Sequence, residues 1–237
     1  MDFQTLAGWG MQEVPHKRYL NDFFTGKIAE SVSRGELYNE DPITGDARFC
    51  ATTASMCGIE SAGFEQNEEK KKRAVRFDLM LHAYMMVQSG IPMLYSGDEI
   101  GQVNDYTYKN DPEKRVDSRY IHRGKFDWKL ADGRKRNGTV QKELFDGIGK
   151  LRSIRSKEKV FDASANVWTL DTWENGILGV VRELEGEQMT AFFNFAEEDR
   201  TAWIEEEGEY MDLYTGKKVS LQAIKMEGHS FVLAKKC

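Results

Sequence analysis

Five charged residues stand where they could do chemistry. Asp98 and Glu99 directly follow a short apolar run bounded by Gly90 and Gly97, and Asp117 and Arg119 lie in the long polar stretch beyond it. Arg48 closes an earlier turn-rich run, Asp41-Pro42-Ile43-Thr44-Gly45-Asp46-Ala47-Arg48. A guanidinium presents a planar fork of donors that can hold hydroxyls or lock a carboxylate at the floor of a pocket. The structural alternative for Arg119 is an ion pair with Asp117. For Asp98 and Glu99 it is hydrogen bonding to the backbone of their own loop.

Other chemistries find less support. Cys50, Cys57 and Cys237 leave one thiol unpaired in any disulfide scheme and show no CxxC spacing, while His16, His82, His122 and His229 are scattered, so neither structural zinc nor a disulfide framework is expected. Acidic residues outnumber basic ones 39 to 33, and the one basic cluster, Lys70 to Arg73, directly follows Glu68 and Glu69 on an expected helix. It reads as a solvated helix start, with no electrostatic footprint for nucleic acid or an anionic membrane. No apolar run reaches the length of a membrane span, and Met1-Asp2-Phe3-Gln4 lacks the basic and apolar regions of a signal peptide. A reduced, cytoplasmic setting is therefore the expectation.

The positioning elements follow from periodicity. Hydrophobic residues at 40%, with 5 Trp, 13 Phe and 9 Tyr, supply a core for one large domain or two modest ones. Pro15 followed by Leu20, Phe24, Ile28 and Val32 predicts an amphipathic helix ending near Gly35, with Gly26 as a competing stop. Residues 39–66 read as a loop with one short helix. From Glu68 a charged start runs into Leu79 to Val87, apolar nearly all round, which predicts a buried helix capped near Gly90. Ile91 to Ser96 then reads as a strand buried on both faces, as in a parallel sheet. Residues 98–138 form a loop longer than ordinary connections, and such loops are usually functional or disordered. Val140, Leu144, Ile148, Leu151 and Ile154 mark a last helix. Short runs punctuated by glycines follow from Asn166 onward, predicting an antiparallel all-β module beyond a boundary near residue 160.

Gly90-Ile91-Pro92-Met93-Leu94-Tyr95-Ser96-Gly97-Asp98-Glu99-Ile100-Gly101, with Asn104-Asp105 and Asp117-Ser118-Arg119-Tyr120-Ile121-His122-Arg123, resembles the eighth barrel strand and following loop of glycoside hydrolase family 13. The run from Asp41 to Arg48 makes the resemblance closest to the amylosucrase and sucrose hydrolase branch. The likeness covers nearly the whole chain. It implies an α/β plus all-β chain: residues 1–159 as the C-terminal segment of a (β/α)8 TIM barrel, and residues 160–237 as an antiparallel β-sandwich C-terminal domain. Barrel chemistry sits at the C-terminal ends of strands, where Asp98, Glu99 and the loop through Arg119 would lie. The resemblance implies that Arg119 closes a glucosyl pocket and that Arg48 contacts the acceptor side. Asp98, Glu99 and Asp117 complete the candidate substrate-binding set. No cofactor is implied, since glycosyl transfer through carboxylates uses only protein groups.

Retaining glycosidases need a nucleophilic carboxylate and a protonated acid about 5 to 5.5 Å apart. In the family these come from the fourth and fifth strands, which this sequence does not contain. A third Asp follows a His at the seventh strand, in a His-Asp-Asp run that precedes a Gly-Trp. Gly8-Trp9-Gly10-Met11 is present here, but Gln4, Thr5 and Leu6 hold the His-Asp-Asp positions. The resemblance thus implies either an unrelated start joined at this point or a truncated gene whose first residues drifted. Three readings of function result. The first is a fragment of an enzyme acting on α-glucoside, sucrose or α-glucan, inactive alone. The second is a carbohydrate-binding module using Trp168, Trp173 and Trp203, although a Trp in a strand is ordinarily core. The third is a structural partner that docks onto a separately supplied N-terminal barrel portion or self-associates.

Overall fold

The computed structural model describes residues 3–237, so the expectation that no signal peptide begins at Met1 and Asp2 falls outside the described residues. Two compact units emerge, Met1–Ala74 with Ser96–Gly133 and Val75–Tyr95 with Arg134–Cys237. Both are mixed in secondary structure, and every strand pairing among the described residues is antiparallel.

The first unit opens with helices α1 (Phe3–Gly8) and α2 (Glu13–Phe24). Helix α1 covers Gln4, Thr5 and Leu6, so helical backbone stands where the resemblance would set a strand end. Pro15 falls in the first turn of α2, where its fixed φ and missing N–H do no harm. The predicted continuation to Gly35 does not form. Gly26 turns left-handed at φ +72°, Lys27 N bonds back to Asp22 O at 2.9 Å, and Ile28 and Val32 lie beyond the helix. A Cβ at Gly26 would also sit 2.6 Å from Ser33 O, so a close approach holds the glycine there.

Strands β1 (Glu36–Tyr38) and β2 (Arg48–Cys50) then pair as a hairpin. Two short helices follow, α3 (Thr53–Met56) and α4 (Ile59–Phe64), where the sequence predicts one. Helix α5 (Glu68–Val87) is the long helix expected from its apolar second half, and from Val75 onward it belongs to the second unit. The long stretch 98–138 is ordered as short 3-10 turns and helix α6 (Trp128–Ala131).

In the second unit, helix α7 (Val140–Lys157) presents Leu144, Ile148 and Leu151 as its buried stripe, as its periodicity predicts. Eight strands follow: β3 (Asn166–Leu170), β4 (Ile177–Leu184), β5 (Glu187–Asn194), β6 (Arg200–Ala202), β7 (Tyr210–Asp212), β8 (Lys218–Val219), β9 (Ile224–Met226) and β10 (Phe231–Lys236). Six form one sheet in the order β3-β4-β5-β10-β7-β8, and β6 pairs with β9.

Successive strand residues point to opposite faces, so Phe192 and Phe193 of β5 anchor two different cores. Phe193 packs with Met80, Met86 and Val87 of α5 and Leu151 of α7. Phe192 packs with Ala202 of β6 and Ile224 and Met226 of β9. Both faces of β5 are therefore covered, which explains why Met189 to Asn194 are buried without alternation. Each fully buried Phe contributes roughly 1.5 to 3 kcal/mol of transfer free energy.

Two expectations fail for want of neighbours. Ile91 to Ser96 is not a buried strand: it pairs with no strand among the described residues, and Ile91 and Met93 are 88% and 77% exposed. A parallel strand needs partners on its edges and helices over its faces, and the described residues supply no parallel pairing. Trp168, Trp173 and Trp203 are not core either, being 44%, 73% and 54% exposed.

Candidate functional site

The run from Asp41 to Arg48 folds as the turn and returning strand of the first hairpin. Asp41 Oδ1 accepts from Ile43 N at 2.8 Å and Thr44 N at 3.1 Å, and these bonds hold its carboxyl below the ordinary range. Gly45, left-handed at φ +71°, donates to Asp41 O and lets the chain reverse. Asp46 then meets Lys17 at 2.6 Å, fastening the turn to α2. The pairing sets Tyr38 opposite Arg48 and Glu36 opposite Cys50.

A 3-10 turn, Ser118–His122, lies against this hairpin, with the Ser118 hydroxyl donating to Leu37 O at 2.7 Å. Asp117 caps the turn by accepting from Arg119 N at 3.0 Å. The same carboxylate takes the Arg119 side chain in a fork: Nε to Oδ1 at 2.8 Å and Nη2 to Oδ2 at 2.7 Å. The guanidinium lies 4.3 Å from the Tyr38 ring centre, within cation–π range. Asp117 is held down at about 2, first by the Arg119 bonds, and Arg119 is pushed above its ordinary value chiefly by Asp117. Arg119 nevertheless keeps 40% of its side chain exposed, against 19% for Asp117. The cation is fixed in direction while still facing solvent.

Beside it runs an open groove of about 660 Å³, with Leu37, Tyr38, Tyr108, Lys109, Arg115 and Ser118 in its walls. The Tyr108 hydroxyl donates to Glu36, and Lys109 Nζ approaches Glu36 Oε1 at 2.5 Å. Burial, then the Glu36 bond, raises the Tyr108 phenol strongly. Burial likewise raises the Cys50 thiol, which packs with Tyr108 and Ile121.

The five predicted residues separate into groups. Asp117 and Arg119 touch directly, and exposed Arg48 stands across the hairpin from Tyr38. Asp98 and Glu99 belong to a different turn, Asp98–Ile100, entered through left-handed Gly97. Glu99 Oε2 accepts from Gly97 N at 3.2 Å, the loop-backbone bond that competes with a substrate role, and Asp98 is buried.

Sequence reasoning missed a polar network that props up the loop. Asn104 Oδ1 accepts from Thr52 N at 2.9 Å, and Asn104 N donates to Ser55 Oγ at 2.9 Å. Ser55 Oγ donates to Glu60, whose other oxygen accepts from the Tyr106 hydroxyl at 2.8 Å. Glu60 is 5% exposed, so these bonds satisfy a buried carboxylate. Asn104 lay within a recognised motif, whereas Glu60 carried no local signal. Tyr38 was equally silent, since its role comes from a residue 81 positions away. Among the described residues, no group of three His, Cys, Asp or Glu side chains is arranged to hold a metal, and no helix is long and apolar enough to cross a membrane.

The fold is thus a mixed α/β chain with antiparallel sheets, carrying a forked arginine on a loop beside a hairpin. No family model matches the sequence. In structure, the chain is similar to AmyP in complex with maltose, with a TM-score of 0.57 at 16% identity over 68% of this chain and 35% of that one. It is also similar to a substituted form of AmyP in complex with maltotriose, with a TM-score of 0.56 at 16% identity over 69% of this chain and 35% of that one. A third likeness is to the trehalulose synthase MutB from Pseudomonas mesoacidophila MX-45, with a TM-score of 0.51 at 14% identity over 68% of this chain and 38% of that one. The chain therefore spans under two-fifths of the length of these solved chains. At such identities the likeness is one of fold.

Proposed function

We propose that the chain is the C-terminal portion of a retaining glycoside hydrolase or glucosyltransferase of family 13, acting on an α-glucoside, sucrose or an α-glucan. Residues 1–159 correspond in this reading to the last part of the (β/α)8 barrel and residues 160–237 to a β-sandwich C-terminal domain. Arg119 shapes the glucosyl pocket, Arg48 serves the acceptor side, and Asp98, Glu99 and Asp117 support the same face. The setting is cytoplasmic and no cofactor takes part.

The observation that carries the reading is the segment Ile91 to Tyr95, apolar yet exposed, directly ahead of the loop that bears Arg119. A barrel strand without its neighbouring strands would look like this, and an exposed apolar segment outside any sheet invites a partner strand. The likeness in fold to AmyP, crystallised with maltose, supports an α-glucan ligand. With neither a nucleophile nor an acid from the missing strands, the chain alone turns over nothing. The test is to assay the purified chain on sucrose, maltose, starch and an aryl α-glucoside, before and after co-expression with an N-terminal barrel portion. Activity only in the co-expressed complex upholds the reading. Turnover by the chain alone, surviving repurification, or a co-expressed portion that never co-purifies, would sink it.

A further inference from the structure

Trp173 and Trp203 are exposed indoles that line one shallow groove of about 470 Å³ in the β-rich unit, together with Ile204, Glu205 and Gln222. They come from different parts of the sequence. Trp203 follows β6, and its N–H donates to Thr172 O at 3.0 Å, which sets it beside the loop after β3. Buried Thr172 fixes that loop, with its hydroxyl donating to Ile177 O at 2.8 Å. Buried Ile204 bonds from its N–H to Leu221 O at 3.1 Å. This draws Gln222 of the neighbouring turn to the groove's rim.

Trp173 has a second peculiarity. Its backbone is left-handed at φ +56°, a conformation that bulky side chains avoid, and it is held there by Asp171 Oδ1 accepting from its N–H at 2.9 Å. A large apolar side chain is thus kept 73% exposed on a strained backbone that glycine would occupy without cost. Neither burial nor backbone preference explains a Trp at this position. Strain of this kind concentrates at ligand-binding positions.

The lining chemistry selects the ligand. Indole faces carry the negative side of the ring quadrupole and attract the weakly positive C–H face of a pyranose. The Glu205 carboxylate and Gln222 amide can bond its hydroxyls. Among the described residues no basic side chain lines the groove, and Glu205-Glu206-Glu207 makes the region negative, which disfavours phosphates and nucleotides. The volume falls within the ordinary range for small-molecule sites, roughly 300 to 1,000 Å³.

We propose that the Trp173–Trp203 groove binds a neutral glucan chain, as a site of its own on the β-rich unit. The α-linkage rests on the proposed function; the groove chemistry by itself calls for a neutral sugar chain. The test is native electrophoresis of the full chain in gels containing amylopectin, beside gels containing a soluble β-glucan. The parent is expected to be retarded by amylopectin, and Trp203→Ala and Trp173→Gly each to lose about tenfold or more in affinity, the equivalent of about 1.4 kcal/mol. Trp173→Gly is also expected to melt at or above the parent temperature, because it relieves the backbone, so lost binding cannot be blamed on lost folding. Three results would overturn the proposal: an unretarded parent, variants bound as tightly as the parent, or retardation abolished by about 0.5 M NaCl, the mark of a charged ligand. Retardation by the β-glucan alone would overturn the α-glucan assignment. Because binding is read in the chain alone, these outcomes are independent of the co-expression assay.

Discussion

The Arg119 guanidinium grips the Asp117 carboxylate, two residues before it, with two bonds of 2.8 and 2.7 Å, and that carboxylate also caps the turn carrying the arginine. The ion pair and a sugar-binding role are therefore not exclusive. A cation held in direction by a neighbouring carboxylate and a tyrosine face needs little ordering to meet a ligand.

In an enzyme restored with its N-terminal barrel portion, Arg119→Ala is expected to impair catalysis far more than folding. Arg119→Lys is expected to lose about tenfold in kcat/KM as well, because a point charge cannot reproduce the fork. Kinetics and melting temperatures of both variants beside the parent provide the check. Near-parental kcat/KM in the Ala variant would dismiss the pocket role, and loss of activity in proportion to a large fall in melting temperature would leave only the ion pair.

The same pair makes a pH prediction. Asp117 has a folded-state value of about 2, below its ordinary 3.8, so its carboxylate is favoured by folding. The stabilisation is complete above pH 4 or so and disappears as pH falls towards 2. Melting curves of the parent and Asp117→Asn are expected to differ most near neutrality and to converge at about pH 2. A gap unchanged with pH would exclude the ion pair as its source.

Arg182 of β4 is fully buried and donates to three backbone carbonyls: Val160 O at 2.6 Å, Val87 O at 2.9 Å and Asp162 O at 3.2 Å. Burial lowers its affinity for the proton, so the cation is a costly pin between the end of α5, the start of the β-rich segment and the sheet. Arg182→Met fills similar volume but strands these carbonyls, each at about 1 to 3 kcal/mol. Urea unfolding is expected to show a loss of about 3 kcal/mol or more. A loss below about 1 kcal/mol would mean that water replaces the guanidinium.

Limited proteolysis is expected to cut first near Ile91 to Ser96, where the residues are mostly exposed and lie outside the helices and strands. The last surviving material is expected to contain α7 with the sheet, since Leu151 shares a core with Met189 and Phe193. Mass spectrometry identifies the pieces. A surviving fragment that begins near residue 160 would instead show that the β-strands stand without α7.

Periodicity was enough to read α5, α7 and the strands from β3 to β5, because a stripe of apolar residues or a Gly-punctuated apolar run is a local pattern that burial then ratifies. It also isolated the loop with Asp117 and Arg119, since long polar connections stand out against their apolar neighbours. Tertiary structure decided the rest. Ile91 to Ser96 has a strand's composition but no partner strand among the described residues, and a strand exists only through partners that no local pattern specifies. Helix α2 ends at Phe24, and just beyond it Gly26 turns left-handed where Ser33 O comes too close for a side chain. Tyr38 under Arg119, Glu60 beneath Tyr106, Arg182 among three carbonyls and Trp173 beside Trp203 all depend on contacts between distant residues. Such pairings leave no trace in spacing, and only the folded chain determines which polar or aromatic groups meet.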